Sequence, residues 1–143
     1  IKFLKNKLSY SFYENLENFK KIMDNCFVIS GGFKEIIVPI LEPYGFNKKK
    51  IYANTFIYTD KGTMTIDESN VLAQNRGKTL IANDIPGHNI IIGDGYTDYE
   101  LKKFGKAEIF ILFVENIYRY ELSQKSDYIA KNFNEVFNYL NNA

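Results

Sequence analysis

Residues 89–98 read Asn-Ile-Ile-Ile-Gly-Asp-Gly-Tyr-Thr-Asp. The apolar run from Asn89 to Ile92 does not alternate, the pattern of a strand covered on both faces. Glycines at 93 and 95 end it abruptly and open the loop backbone. Two other runs share that pattern. Cys26 to Ile29 ends in Ser30-Gly31-Gly32, and Ile109 to Val114 follows later. A short fourth strand is expected at Asp127 to Ala130. Helical spacing fills the intervals. Phe12, Leu16, Phe19 and Met23 fall on one face of a helix from Tyr10 to Met23, capped by Ser9 or Ser11. Phe33 to Glu42 repeats the pattern, with Pro39 placing the helix start late or kinking it. Shorter helices are expected at Arg76 to Asn83, Tyr99 to Phe104 and Asn134 to Leu140. Strands alternating with helices predict an α/β fold with a parallel sheet and right-handed crossovers. Thr55 to Thr59 and Thr63 to Ile66, joined by Asp60-Lys61-Gly62, read as an inserted β-hairpin.

Composition bounds the function. The 143 residues fit one domain, taken as 1–143. A hydrophobic share of 45% with 24% charged residues excludes a disordered chain. Eighteen basic against seventeen acidic side chains leave no broad footprint for nucleic acid. No apolar run approaches the ~20 residues that span a bilayer. A single cysteine, Cys26, suits a reducing cytoplasm, and no leader is read at the start. The first residue is Ile1 rather than methionine.

In open parallel sheets ligands bind beyond the carboxyl ends of the strands, and both glycine-rich turns fall there. In Ser30-Gly31-Gly32 the backbone can approach a ligand closely, and N–H groups at a helix start suit an anion. The plain alternative is a strand-to-helix turn with a small cap. Asp94 and Asp98 flank the second turn. Hard cations such as Mg²⁺ favour oxygen ligands, often one or two carboxylates plus phosphate. Asp94 is placed to bind such a metal directly, and Asp98 to orient a metal-bound water or a lysine. The alternative is that Asp98 caps a helix beginning near Tyr99. Lys78 would stabilise phosphoryl charge only if the fold brought it to Asp94; otherwise it is an exposed lysine at a helix start. His88 reads as a solvated loop residue with a base as the alternative, Lys48 to Lys50 as a solvated turn with an anion contact as the alternative, Arg119 as a surface residue with closure over the site as the alternative, and Cys26 as a small core residue.

The order Ile-Ser-Gly-Gly-Phe (29–33), Gly-Lys (77–78) and Ile-Gly-Asp-Gly-Tyr-Thr-Asp (92–98) resembles motifs two, three and four of the haloacid dehalogenase superfamily. More narrowly it is similar to the phosphoserine phosphatase branch. So are Ile51-Tyr52-Ala53-Asn54, the hairpin with Asp67-Glu68-Ser69, and Lys125 to Ala130, the likeness running from about Leu16 to Leu140. The resemblance implies a Rossmann-like three-layer core and Mg²⁺-dependent transfer through an aspartyl-phosphate. It implies that Ser30 and the Gly31 amide bind the phosphoryl group, Lys78 stabilises it, Asp94 coordinates Mg²⁺ and Asp98 supports them. Thr97 stands where some relatives carry asparagine.

One departure is large. The superfamily's first motif, Asp-x-Asp-x-Thr, supplies the nucleophile and lies on the first, central strand, and no Asp-x-Asp occurs in this sequence. The helical cap that selects substrate is not read here either. The expectation is therefore a C-terminal core portion, inactive alone, whose sheet lacks one central strand. Its unpaired edges invite a missing N-terminal segment or self-association. The expected ligand is a small phosphorylated metabolite, first of all O-phosphoserine, with no nucleic-acid or membrane partner. A non-catalytic partner-binding module, half of a split enzyme, and a phosphatase for another metabolite stay open.

Overall fold

The computed structural model describes residues 8–142. They divide into two compact units, one ending at Gly77 and one running from Lys78. No helix among the described residues is long and apolar enough to cross a membrane.

The first unit opens with two short helices, α1 (Tyr10–Glu14) and α2 (Leu16–Ile22), where one continuous helix was expected. Ser9 caps α1, its hydroxyl accepting from Phe12 N–H at 3.1 Å. The break falls at Asn15, whose side-chain amide donates to the Ser11 carbonyl at 2.8 Å. That competes with a helical hydrogen bond, the usual effect of asparagine inside a helix. Phe12 and Phe19 still share a face and pack with Phe46 in an aromatic cluster.

Strand β1 (Val28–Phe33) pairs in parallel with β2 (Ile51–Asn54) through α3 (Lys34–Leu41). Two expectations are corrected here. The strand runs on through Ser30-Gly31-Gly32 instead of ending before them, and its residues are half-buried or exposed. Among the described residues it has one strand partner. Helix α3 begins at Lys34, before Pro39, so the proline does not delay its start. The hairpin of β3 (Phe56–Tyr58) and β4 (Met64–Ile66) forms as expected, with Gly62 at φ +76° in the turn. It is fastened to the unit by Glu35, which accepts from Phe56 N–H at 3.0 Å, and by stacking of Phe33 on Phe56.

The second unit holds a parallel sheet of β5 (Ile90–Gly93), β6 (Ile109–Phe113) and β7 (Tyr128–Ala130), in that order. Helices α5 (Tyr96–Lys103), α6 (Tyr120–Ser123) and α7 (Phe133–Asn142) cover it. Alternation along β6 shows why. Phe110 and Leu112, fully buried, face Leu122 of α6 and Tyr99 of α5. Ile111, between them, faces Ala130 and Val136 of α7 on the other side. The continuous run at 109–114 thus records a strand covered on both faces. β5 is less covered than its run implied. Ile90 is exposed, and the strand has one strand neighbour among the described residues. The parallel sheets and βαβ connections match the expected Rossmann-like class, and among the described residues β1 and β5 each have one strand neighbour. Helix α4 (Gly77–Ala82) leads into the second unit.

Candidate functional site

Helix α5 begins at Tyr96, three residues before the expected start, which changes the role of Asp98. It is the third residue of the helix, not its cap. Its Oδ2 reaches back to accept from Gly95 N–H at 3.2 Å, satisfying one of the donors that a helix start leaves open. Its Oδ1 accepts from Lys78 Nζ at 2.7 Å. The pair is well shielded, with side chains 18% exposed for Lys78 and 9% for Asp98. Asp98 therefore joins two candidates of the sequence, the β5–α5 loop and the first turn of α4. Gly93 makes that path possible. A Cβ at residue 93 would overlap the carboxyl group and Cβ of Asp98, so only glycine fits beneath that side chain.

Asp94 lies at the carboxyl end of β5 and is exposed. Its carboxylate makes no hydrogen bond or ion pair among the described residues. The nearby cation, Arg119, takes the Asp94 main-chain carbonyl instead, donating from Nε at 3.1 Å. The loop that carries Asp94 is thus held by Asp98 and by Arg119. Next to Lys78, the Thr79 hydroxyl is buried without a partner. Among the described residues no group of three His, Cys, Asp or Glu side chains could hold a metal.

Ser30 and Gly31 lie in the first unit, on β1. The Ser30 hydroxyl oxygen accepts from Gly32 N–H at 3.0 Å. The Gly31 carbonyl accepts from Asn54 Nδ2 at 3.0 Å. Gly31 is exposed, and a Cβ there would meet nothing within 4 Å. Neither Gly31 nor Gly32 has positive φ, so the glycines give clearance over the backbone and not a special turn. A groove of about 450 Å³ in the same unit, lined by Lys34, Val38 and Lys48 among others, includes neither Ser30 nor Gly31.

Of the remaining candidates, His88 lies at the surface and Cys26, expected in the core, is half-buried. His88 is exposed and paired with Glu108, whose hydrogen bond and charge raise the imidazole pKa above its ordinary 6.5. Burial pushes the Cys26 thiol up, only partly offset by the charge of Lys50, the opposite of an activated nucleophile. Sequence reasoning missed two supporting residues. Gly93 was read as a strand end rather than as the floor under Asp98. Asn54 was noted only as part of a matching segment.

No family model matches the chain. Among curated relatives, it is 28% identical to the chloroplastic phosphoserine phosphatase of Arabidopsis thaliana, over 85% of this chain and 44% of that protein. It is 30% identical to phosphoserine phosphatase of Drosophila melanogaster, over 77% of this chain and 43% of that one. The chain spans less than half the length of these relatives. A solved phosphoserine phosphohydrolase-like protein from Francisella tularensis superposes with a TM-score of 0.78 at 30% identity, covering 94% of this chain and 63% of that structure. DsGPDH of Dunaliella salina shares the fold, with a TM-score of 0.68 at 24% identity, over 90% of this chain and 22% of its own.

Proposed function

We propose that this chain, which is phosphoserine phosphatase-like and of the haloacid dehalogenase type, is the phosphoryl- and metal-binding part of a Mg²⁺-dependent phosphomonoester hydrolase. O-phosphoserine is its leading substrate, and the cytoplasm its expected compartment. One observation carries the reading. At the carboxyl end of β5 the Asp94 carboxylate is exposed and, among the described residues, without a partner, while Asp98 fixes the Lys78 ammonium at 2.7 Å.

Each residue has a separate task. Lys78, held by Asp98 instead of ranging through solvent, offers a preset positive charge to phosphoryl oxygens, and preset charge needs little reorganisation when the transferring group develops its own. The Ser30 hydroxyl and the Gly31 amide would bind phosphoryl oxygens. Asp94 would hold Mg²⁺, with water and phosphoryl oxygens filling the shell, since the described residues offer no cluster of three metal-ligating side chains. When bound, the ion would polarise a phosphoryl oxygen as a Lewis acid. The nucleophile is assigned outside this chain, since covalent transfer needs an activated carboxylate and no Asp-x-Asp is present.

A second reading has its own support. Among the described residues β1 and β5 each have one strand partner, and strands with a free edge suit pairing with another polypeptide, as in a split enzyme or a non-catalytic partner subunit. Calorimetric titration of the chain with inorganic phosphate, with and without Mg²⁺, tests the first reading. Phosphate binding strengthened by Mg²⁺ in the native chain, but not in Asp94→Asn, supports it. Heat from neither ligand would leave a scaffold without a site.

A further inference from the structure

From Ile29 to Phe33 β1 advances four residues, while its partners on β2, Tyr52 to Asn54, advance two. The two surplus residues fall within Ser30-Gly31-Gly32, so peptide groups there leave the regular ladder. A strand carbonyl displaced from the ladder takes its donor from water or from a side chain. The Gly31 carbonyl finds Asn54 Nδ2, 23 positions away in sequence, at 3.0 Å. Because the acceptor is a carbonyl oxygen, the carboxamide can face it only with its nitrogen. Asn54 Oδ1 then points elsewhere and is buried with no hydrogen-bond partner, in a residue 4% exposed. A buried unpaired oxygen opposes folding. An apolar residue would avoid that cost, and what asparagine adds at this position is the bond to Gly31.

The same peptide is held at its other end. The Gly31 carbonyl and the Gly32 N–H belong to one planar trans unit, so they point in opposite directions. Gly32 N–H donates to Ser30 Oγ at 3.0 Å. Asn54 Nδ2–H, the Gly31–Gly32 peptide and Ser30 Oγ therefore form one chain of hydrogen bonds, all running the same way. Ser30 Oγ is its terminal acceptor, which leaves the hydroxyl proton as a donor for something else. Aligned bonds of this kind polarise one another.

We infer that Asn54 is a positioning residue for the Ser30–Gly31 site. Through the Gly31–Gly32 peptide it fixes Ser30 Oγ as an acceptor and so leaves the hydroxyl proton for an anion. The inference rests on the reading of Ser30 and Gly31 as phosphoryl ligands, and the ligand class is a phosphate monoester or inorganic phosphate. No group is transferred through the relay. It sets orientation before the ligand arrives.

The test is amide NMR on the full chain, with inorganic phosphate as the probe. In the ligand-free native chain, a through-bond coupling between Asn54 Nδ2 and the Gly31 carbonyl carbon is expected, with slow exchange of the Gly32 amide. In Asn54→Leu, close in volume but without a donor, Gly32 exchange should quicken and phosphate affinity fall, each on the order of tenfold. Resonances of the second unit should stay in place. Unchanged Gly32 exchange in Asn54→Leu overturns the inference. If that variant does not fold, absence of the coupling in the native chain overturns it equally. A native chain that shows the coupling and the slow exchange but no response to phosphate supports the relay and overturns the phosphoryl reading of the site.

Discussion

Replacing Asp98 with asparagine removes a charge and almost no volume. The carboxylate now accepts two bonds, from Lys78 at 2.7 Å and from Gly95 N–H at 3.2 Å. A carboxamide has one acceptor oxygen, so its NH₂ group must turn toward one of those donors. One bond survives and the other becomes donor against donor. A hydrogen bond to a charged partner contributes about 1.5–3 kcal/mol. With Asp98 9% exposed, water replaces little of the loss. Asp98→Asn should therefore cost about 3 kcal/mol. Lys78→Met leaves a shielded carboxylate without its cation, and should cost about 3–5 kcal/mol. The double variant leaves neither charge stranded, so its cost should fall short of the sum by about 2 kcal/mol. Urea unfolding followed by circular dichroism, compared at unchanged m, measures all three. Additivity within about 0.5 kcal/mol would mean that Lys78 and Asp98 do not act as a pair, and the account of how Lys78 is held would fail.

Gly93→Ala should disrupt the same pair from below, because the new Cβ takes the space of the Asp98 carboxyl group; a loss of about 1–3 kcal/mol is expected in the same urea assay. His88 should titrate above 6.5 by proton NMR and return toward that value in Glu108→Gln. Its raised pKa makes the pair's contribution full below the unfolded value and lost as pH rises through the folded one. Asp127 should behave oppositely. Burial alone would raise its pKa, but hydrogen bonds from Lys102 and from Phe110 N–H outweigh it and hold it below the ordinary carboxylate value. Its contribution should be present above the unfolded pKa and disappear as pH falls through the folded one, a dependence that Asp127→Asn should remove from acid-unfolding curves.

Legibility in the sequence followed the range of the interactions. The run at 109–114 could be read because burial on both faces of β6 leaves a local trace, and the hairpin could be read from Gly62 and its flanking β-formers. The start of α5 was missed although its cue is local. Gly95 followed three residues later by Asp98 is a helix-start spacing, but Tyr96 and Thr97 are indifferent helix formers. The break at Asn15 was hidden by a periodicity that continues across it. The course of β1 through its glycines depends on pairing with β2 and on Asn54, and the hold of Arg119 on the Asp94 carbonyl spans 25 positions. Such contacts exist only once the chain is folded. Asp94 and Ser30 are legible from a carboxylate and a glycine-rich turn at strand ends, and motif order joins Lys78 to them; what the structure adds is the hydrogen bonds that hold Lys78 and Ser30.

The claim that Asp94 is the metal-binding carboxylate of a phosphomonoester hydrolase has one direct test. Phosphate release from O-phosphoserine should be followed with and without Mg²⁺ in the native gene product that contains this chain, alongside its Asp94→Asn variant. The account predicts Mg²⁺-dependent release in the native protein, with a loss of about a hundredfold or more in the variant and an unchanged unfolding midpoint. Undiminished release by Asp94→Asn would contradict it.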